Sequence, residues 1–487
     1  MPPRRRKSAE TTVTTETTTE TASARGGGDE ENADARAPAK KIKSRSGQRK
    51  KKTTNAAEAL KDIGTNAVNA EEDAAAREGS GDVFDLLRGE NSATMLFSND
   101  WRARYNASEI AAVAEIYSLL CKAAGCTTGV SAMELQRSDC LTIMNRIVND
   151  MASGNLFGED PLSKRSQDFK GFRENFLEFI DKCVRNTSEG EELYDGTLFA
   201  SLAEIVATCA SSKARPLRMA ATLMALQIIT SLITVVNNLQ KARDLKQNQM
   251  DNELKKKTVA ADLVKSLQRA IDNAQEQIEL VEGYMNEMFT KVYTHRFRDC
   301  DEHIRAECMK AMGKWMFKHQ LVFLTDFYLK YLGWSLNDKS AAVRLEVLLA
   351  LKNLASSQSH LAMMDTFIAR FKGRIAEMLC DVDARVVVEA VRLAAVLHEH
   401  TELDAEHMNF VTALIMDRHP TIRVAAAKAT KTLIHTLTET YRRARDLSYN
   451  DDEDSAHLRE LHGIAQLLAD LGDENGGHGK VIEGLAS

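Results

Sequence analysis

An acid–aliphatic–arginine spacing recurs along the second half of this chain, and it limits the fold more than any other feature. Asp338 is followed by Val343 and Arg344, Asp417 by Ile422 and Arg423, and Asp299 by Ile304 and Arg305. A degenerate copy has Asp381 followed by Val386 and Val387, and an earlier one has Ser212 followed by Leu217 and Arg218. From Asp299 onward the acids are 39, 43 and 36 residues apart, a period that fits stacked helical hairpins of the HEAT class. The physical reading gives each residue a task. The acid closes the turn between two helices by accepting backbone N–H bonds. The aliphatic residue opens the buried face of the second helix. The arginine reaches back across the neighbouring repeat's turn, building a ladder of charge-assisted bonds. Runs such as "LEVLLALKNL" and "VAAAKATKTLI" follow, whose alanines let hairpins approach closely. No hairpin buries its own face, so stacking supplies the core. The expected fold is all-α, a HEAT-like helical-hairpin solenoid.

Proline placement agrees. The six prolines are Pro2, Pro3, Pro38, Pro161, Pro216 and Pro420, which leaves 217–419 free of helix breakers. Pro420 falls where a helix must begin and its missing N–H costs little. "ASEIAAVAEIYSLLCKAAGC" shows the same helical periodicity through Ile110, Val113, Ile116, Leu119 and Leu120, ending at Gly125. We divide the chain into a disordered basic tail at 1–80, N-terminal helical repeats at 81–236, long polar helices at 237–290, further repeats at 291–445 and an acidic, Gly-rich segment at 446–487. In the polar stretch a sparse stripe (Leu254, Val259, Leu263, Leu267, Ile271, Ile278, Val281) gives a narrow, coiled-coil-like seam. It suits either an antiparallel projecting pair or one long linking helix. The apolar run Met219–Val236 carries Thr, Gln and Ser and reads as a buried core helix, not a membrane span.

Charge is unevenly placed. Residues 1–52 hold 14 Lys/Arg against 7 Asp/Glu, although the whole chain is at −6. Within that tail "KKIKSRSGQRKKK" reads as a nuclear address or as a contact to a phosphate backbone. The eight cysteines are scattered without a CxxC pair, so reduced thiols are expected, with no disulfide framework or zinc site. The "HEHTELDAEH" cluster (His398, His400, Glu402, Glu406, His407) reads as a solvated turn at a hairpin end. No GxxxxGK[ST] loop, HExxH pair or GxSxG elbow occurs, so the reading is non-enzymatic, with no cofactor and no metal.

One residue stands apart. Trp334 ends "FLTDFYLKYLGW", in which Leu324, Phe327, Tyr328 and Tyr331 already form an apolar stripe. Asp326, Lys330 and Trp334 are spaced i, i+4, i+8 and share a face beside that stripe. An aromatic flanked by charges suits a binding hot spot. Periodicity alone leaves Trp334 open between a surface anchor and a core filler.

The stretch from "VYTHRFRDCDEHIRAECMKAMGKWMFKHQ" through "LVFLTDFYLKYLGWSLNDKSAAVRLEVLLALKNL" resembles the stromalin conservative domain of the stromal-antigen subunits of cohesin. The likeness continues through "MDTFIARFKGRIAEMLCDVDARVVVEAVRLAAVL" to "DRHPTIRVAAAKA" and extends backward to "NDWRARYNASEIAAVAEIYSLLCKAAGC". This resemblance implies a nuclear, chromatin-associated scaffold that works with a kleisin subunit and the coiled-coil ATPases of cohesin. It also implies a face that accepts aromatic-motif peptides from regulators, at Phe297, Arg298, Asp326, Lys330, Trp334, Phe367, Arg370 and Phe371. The family often has Tyr where this chain has Phe297. Non-specific contact with double-stranded DNA is a further implied role, with Lys213, Arg215, Lys255, Lys256 and Lys257 as candidates; Arg218 reads as a ladder residue. Family members continue through many more repeats. This chain is therefore expected to be a shortened homologue, the partner of a separate C-terminal chain, or an incompletely predicted coding sequence, with much of the kleisin surface outside it. A general HEAT adaptor, such as a transport receptor without DNA affinity, is the competing reading.

Overall fold

The computed structural model describes residues 82–89, 93–163, 166–257, 260–399 and 405–444. The expected tail, the acidic C-terminal segment, and His400 and Glu402 of the His398–His407 cluster lie outside them. Among the described residues the structure is helical, with a single isolated bridge between Cys126 and Leu156. The N-terminal helices are α1 (Val83–Leu87), α2 (Thr94–Ala107), α3 (Glu109–Ala123), α4 (Ala132–Arg137), α5 (Cys140–Ala152), α6 (Phe172–Glu189) and α7 (Thr197–Ala210). Then come the long α8 (Arg215–Leu254) and α9 (Ala261–Met288). The later repeats are built from α10 (Glu302–Lys318), α11 (Asp326–Ser335), α12 (Ala341–Ala355), α13 (Asp365–Glu377), α14 (Ala384–Glu399), α15 (Ala405–Ala413) and α16 (Pro420–Ala444).

Each long helix packs on the long helix of the next repeat, α8 on α10, α10 on α12, α12 on α14 and α14 on α16. Small residues set the spacing. A Cβ placed on Gly313 would fall 2.5 Å from the Cβ of Ala350, so α10 and α12 meet where neither can carry a larger side chain. Trp315 fills the adjoining core completely and donates its indole N–H to Thr230 Oγ1 at 2.9 Å. The apolar first half of α8 is the centre of this core: Leu217, Ile229, Leu232, Ile233 and Val236 are fully buried. That span has the length and composition of a membrane helix, yet 78% of it is buried inside the protein.

The acid–arginine spacing builds a ladder along one edge of the stack. Arg218 grips Asp299 with two bonds of 2.8 and 3.2 Å, Arg305 grips Asp338 at 2.7 and 2.8 Å, and Arg344 grips Asp381 twice at 2.7 Å. The forks point forward onto the acid of the following repeat, not back as the sequence suggested. The third guanidinium nitrogen turns to the repeat's own turn: Arg305 donates to the Asp299 carbonyl at 2.8 Å and Arg344 to the Asp338 carbonyl at 2.7 Å. Each acid also accepts the N–H two residues on, at Asp301, Ser340, Asp383 and His419, which fixes the entry to the next long helix. Burial alone would raise the Asp299 and Asp381 carboxyls, but the arginine forks and these amides hold them below the ordinary range. Where Val387 replaces the arginine, no fork reaches Asp417 among the described residues; one step earlier, Lys352 on α12 adds a second link to α14 by binding Glu389 at 2.6 Å.

α8 runs unbroken through residue 237, and α9 folds back along it, so the polar stretch contributes to an antiparallel helical pair. The seam is only partly covered. Ile271, Ile278 and Val281 are buried near the body, whereas Leu254 and Leu263, expected in the same seam, are about half exposed.

Candidate peptide-docking face

α11 is a short helix whose inner residues, Leu329 and Leu332, are sealed in the core. Its outer positions carry the chemistry. Asp326 lies exposed in the first turn, Lys330 is half-buried, and Trp334 near the end is 53% exposed. The indole therefore stands on the surface, unlike Trp101 and Trp315, which are buried with their N–H groups satisfied. Its ring lies near-parallel to Phe297 at 6.2 Å and edge-on to Tyr331 at 5.5 Å. Phe297 in turn stacks with the buried Tyr293, so three rings lead from the core to the surface. Offset and edge-on rings of this kind form a stiff platform with little side-chain entropy left to lose.

Cations border the platform. The Lys330 ammonium is 4.1 Å from the Phe327 ring centre, 5.4 Å from Tyr331 and 5.6 Å from Trp334. Arg298 lies 6.0 Å from Phe297, and Arg370 5.7 Å from Phe371. Burial pushes the Tyr331 phenol up, and the charge of Arg298 partly pulls it back. These cations give the face positive potential without any carboxylate close enough to neutralise it in an ion pair, among the described residues.

α13 supplies the second side. A Cβ on Gly333 would come within 2.3 Å of Phe371 Cζ, so the bare backbone of α11 receives the phenyl ring directly. Arg370 and Trp334, each one residue from that contact and both exposed, flank it. Arg374 fastens the two helices by donating to the Leu336 carbonyl at 3.1 Å. Phe367 takes a different place from the one expected: it is 4% exposed and supports Phe371 from beneath, with ring centres 4.7 Å apart. The structure thus gathers Phe297, Arg298, Asp326, Lys330, Trp334, Arg370 and Phe371 on two neighbouring elements and the turn before them. The sequence reading missed Tyr331 as the floor, Gly333 as the seat of Phe371, and Arg374 as the fastener.

The cationic DNA candidates are not brought together. Lys213 and Arg215 stand at the start of α8, whereas Lys255, Lys256 and Lys257 follow its far end, a helix length of roughly 60 Å. Arg215 is ion-paired with Asp301, and Lys256 with Glu253. Lys213, Lys255 and Lys257 are exposed.

Fold and surface together define a helical-repeat scaffold that presents an aromatic, cation-bordered platform. The chain matches the STAG domain over residues 158–270 and the stromalin conservative domain over residues 298–372. It is 33% identical to Sister-chromatid cohesion protein 3 of Arabidopsis thaliana over 70% of this chain and 31% of that protein. It is 30% identical to Cohesin subunit SA-1 of Xenopus laevis over 72% of this chain and 28% of that protein. The solved cohesin subunit Scc3 from Z. rouxii shares the fold, with a TM-score of 0.71 and 23% identity, over 83% of this chain and 49% of that one. The chain spans about a third of the length of the curated relatives it matches.

Proposed function

We propose that this chain is a non-enzymatic scaffold in a cohesin assembly, supporting sister-chromatid cohesion in the nucleus. Its relatives are named Sister-chromatid cohesion protein 3 and Cohesin subunit SA-1, and its own architecture is a stack of helices that offers surfaces to partners. In that assembly its partners are the kleisin and the coiled-coil ATPase subunits. Regulators dock by inserting an aromatic side chain against Trp334, between the cations of Lys330, Arg298 and Arg370. The observation that carries this reading is a half-exposed indole, held rigid by Phe297 and Tyr331, on a helix that is otherwise well buried. The platform favours an aromatic residue through stacking, and its cations favour carboxylates beside it. Exposed lysines at 213, 255 and 257 serve as sequence-independent contacts to the DNA backbone, with Arg215 and Lys256 able to exchange their present acids for phosphate.

The test is fluorescence anisotropy with a labelled peptide that carries phenylalanine next to acidic residues. Trp334→Ala should weaken binding by about 30-fold, the equivalent of about 2 kcal/mol for an aromatic anchor. Equal affinity in wild type and variant would remove the site. Duplex DNA should bind weakly and lose affinity steeply with added salt; salt-independent binding would remove that role.

A further inference from the structure

A second surface lies on α10, away from the aromatic platform and at the opposite end of the long helices from the ladder. Lys310, Lys314 and Lys318 are spaced i, i+4, i+8, which puts them in one row about 12 Å long. None closes an ion pair with a described residue. The nearby Glu307 is committed to Arg173 at 2.6 Å, and Glu346 on α12 acts on Lys314 less strongly than Lys310 does. Partial burial, then the neighbouring Lys310 and Lys318, depress the Lys314 ammonium below its ordinary value, against the opposing pull of Glu307 and Glu346.

The row is not merely solvated, because large apolar side chains share its face. Phe317, three residues from Lys314, is 54% exposed and meets the buried His360 ring edge-on at 5.3 Å. Leu321, just beyond the helix end, is 76% exposed, and Met363 on the same short helix as His360 is 39% exposed. Unpaired cations beside uncovered apolar groups form an amphipathic surface that neither water nor a polyphosphate alone complements.

We propose that this face of α10 docks a partner polypeptide segment that is both acidic and apolar. Its carboxylates meet the lysine row, and one large aliphatic or aromatic side chain covers Phe317 and Leu321. A nucleic acid would satisfy the lysines and leave Phe317 and Leu321 wet, so the apolar half of the surface favours protein. The segment is distinct from the one that meets Trp334, since the two faces use no residue in common.

The experiment is selection from a random 12-residue peptide library on the full chain carrying Trp334→Ala, counter-selected on the same chain with Lys314→Glu and Lys318→Glu. Enriched sequences should combine Asp or Glu with Phe, Leu or Ile. The best of them, synthesised with a fluorophore, should lose at least tenfold in affinity on Phe317→Ser as well as on the lysine reversals. Circular dichroism and thermal melting confirm that each variant folds. No enrichment, a consensus without acidic residues, or an affinity indifferent to Phe317→Ser would overturn the proposal. So would duplex DNA binding that falls with the lysine reversals while no peptide is retained, which would assign the row to nucleic acid.

Discussion

The turn edge and the aromatic face are made by the same repeats, yet they use cations in opposite ways. At the turn edge each guanidinium is mostly buried and held bidentately by an acid: the side chains of Arg305 and Asp338 are only 6% and 14% exposed. On the aromatic face Lys330, Arg298 and Arg370 lie over rings and bind no acid among the described residues. A buried, paired cation contributes to the stack and offers nothing to a visitor. A cation over an exposed ring contributes little to the stack and keeps its charge for a partner. Type of residue does not separate the two uses; the company it keeps does.

The sharpest way to break this contrast is Arg344→Met. It strands the Asp381 carboxylate, whose side chain is 7% exposed, and should cost about 3–5 kcal/mol in chemical denaturation. A loss below about 1 kcal/mol would show that the ladder is ornamental. A smaller effect comes from acid. Asp299, Asp301 and Asp381 are held below their unfolded values, so their stabilisation is full above about pH 4 and disappears as pH falls through the depressed folded values. Melting temperature should therefore fall more steeply below pH 4 in wild type than in Arg344→Met; parallel curves would contradict it. Gly333→Ala comes next: displacing Phe371 should cost about 1–3 kcal/mol and weaken aromatic-peptide binding as well. Last is Trp334→Ala, expected to change stability by less than about 0.5 kcal/mol while abolishing most peptide affinity. Unfolding of that variant like a core mutant would mean the indole belongs to the stack.

Much of this was legible before any coordinates. The ladder announced itself because its acids and arginines keep a fixed spacing within each repeat, and a helix turns that spacing into a fixed direction. The forward aim of the forks was not legible, since it depends on how one hairpin is rotated on the next. Trp334 stayed ambiguous because Phe327 and Tyr331 share its stripe, and their sequence neighbours look alike while one ring is buried and another is not. Phe367 could have been placed: with Ile368, Phe371 and Ile375 it follows helical spacing into the core. The seat of Phe371 on Gly333 could not, because it joins two helices that no local pattern connects.

The three forks clasp successive turns at one margin only, much as stitching holds pages along a spine. The opposite margin, where Phe317 and His360 meet, carries no such row of forks among the described residues. A partner seated there would leave every stitch untouched.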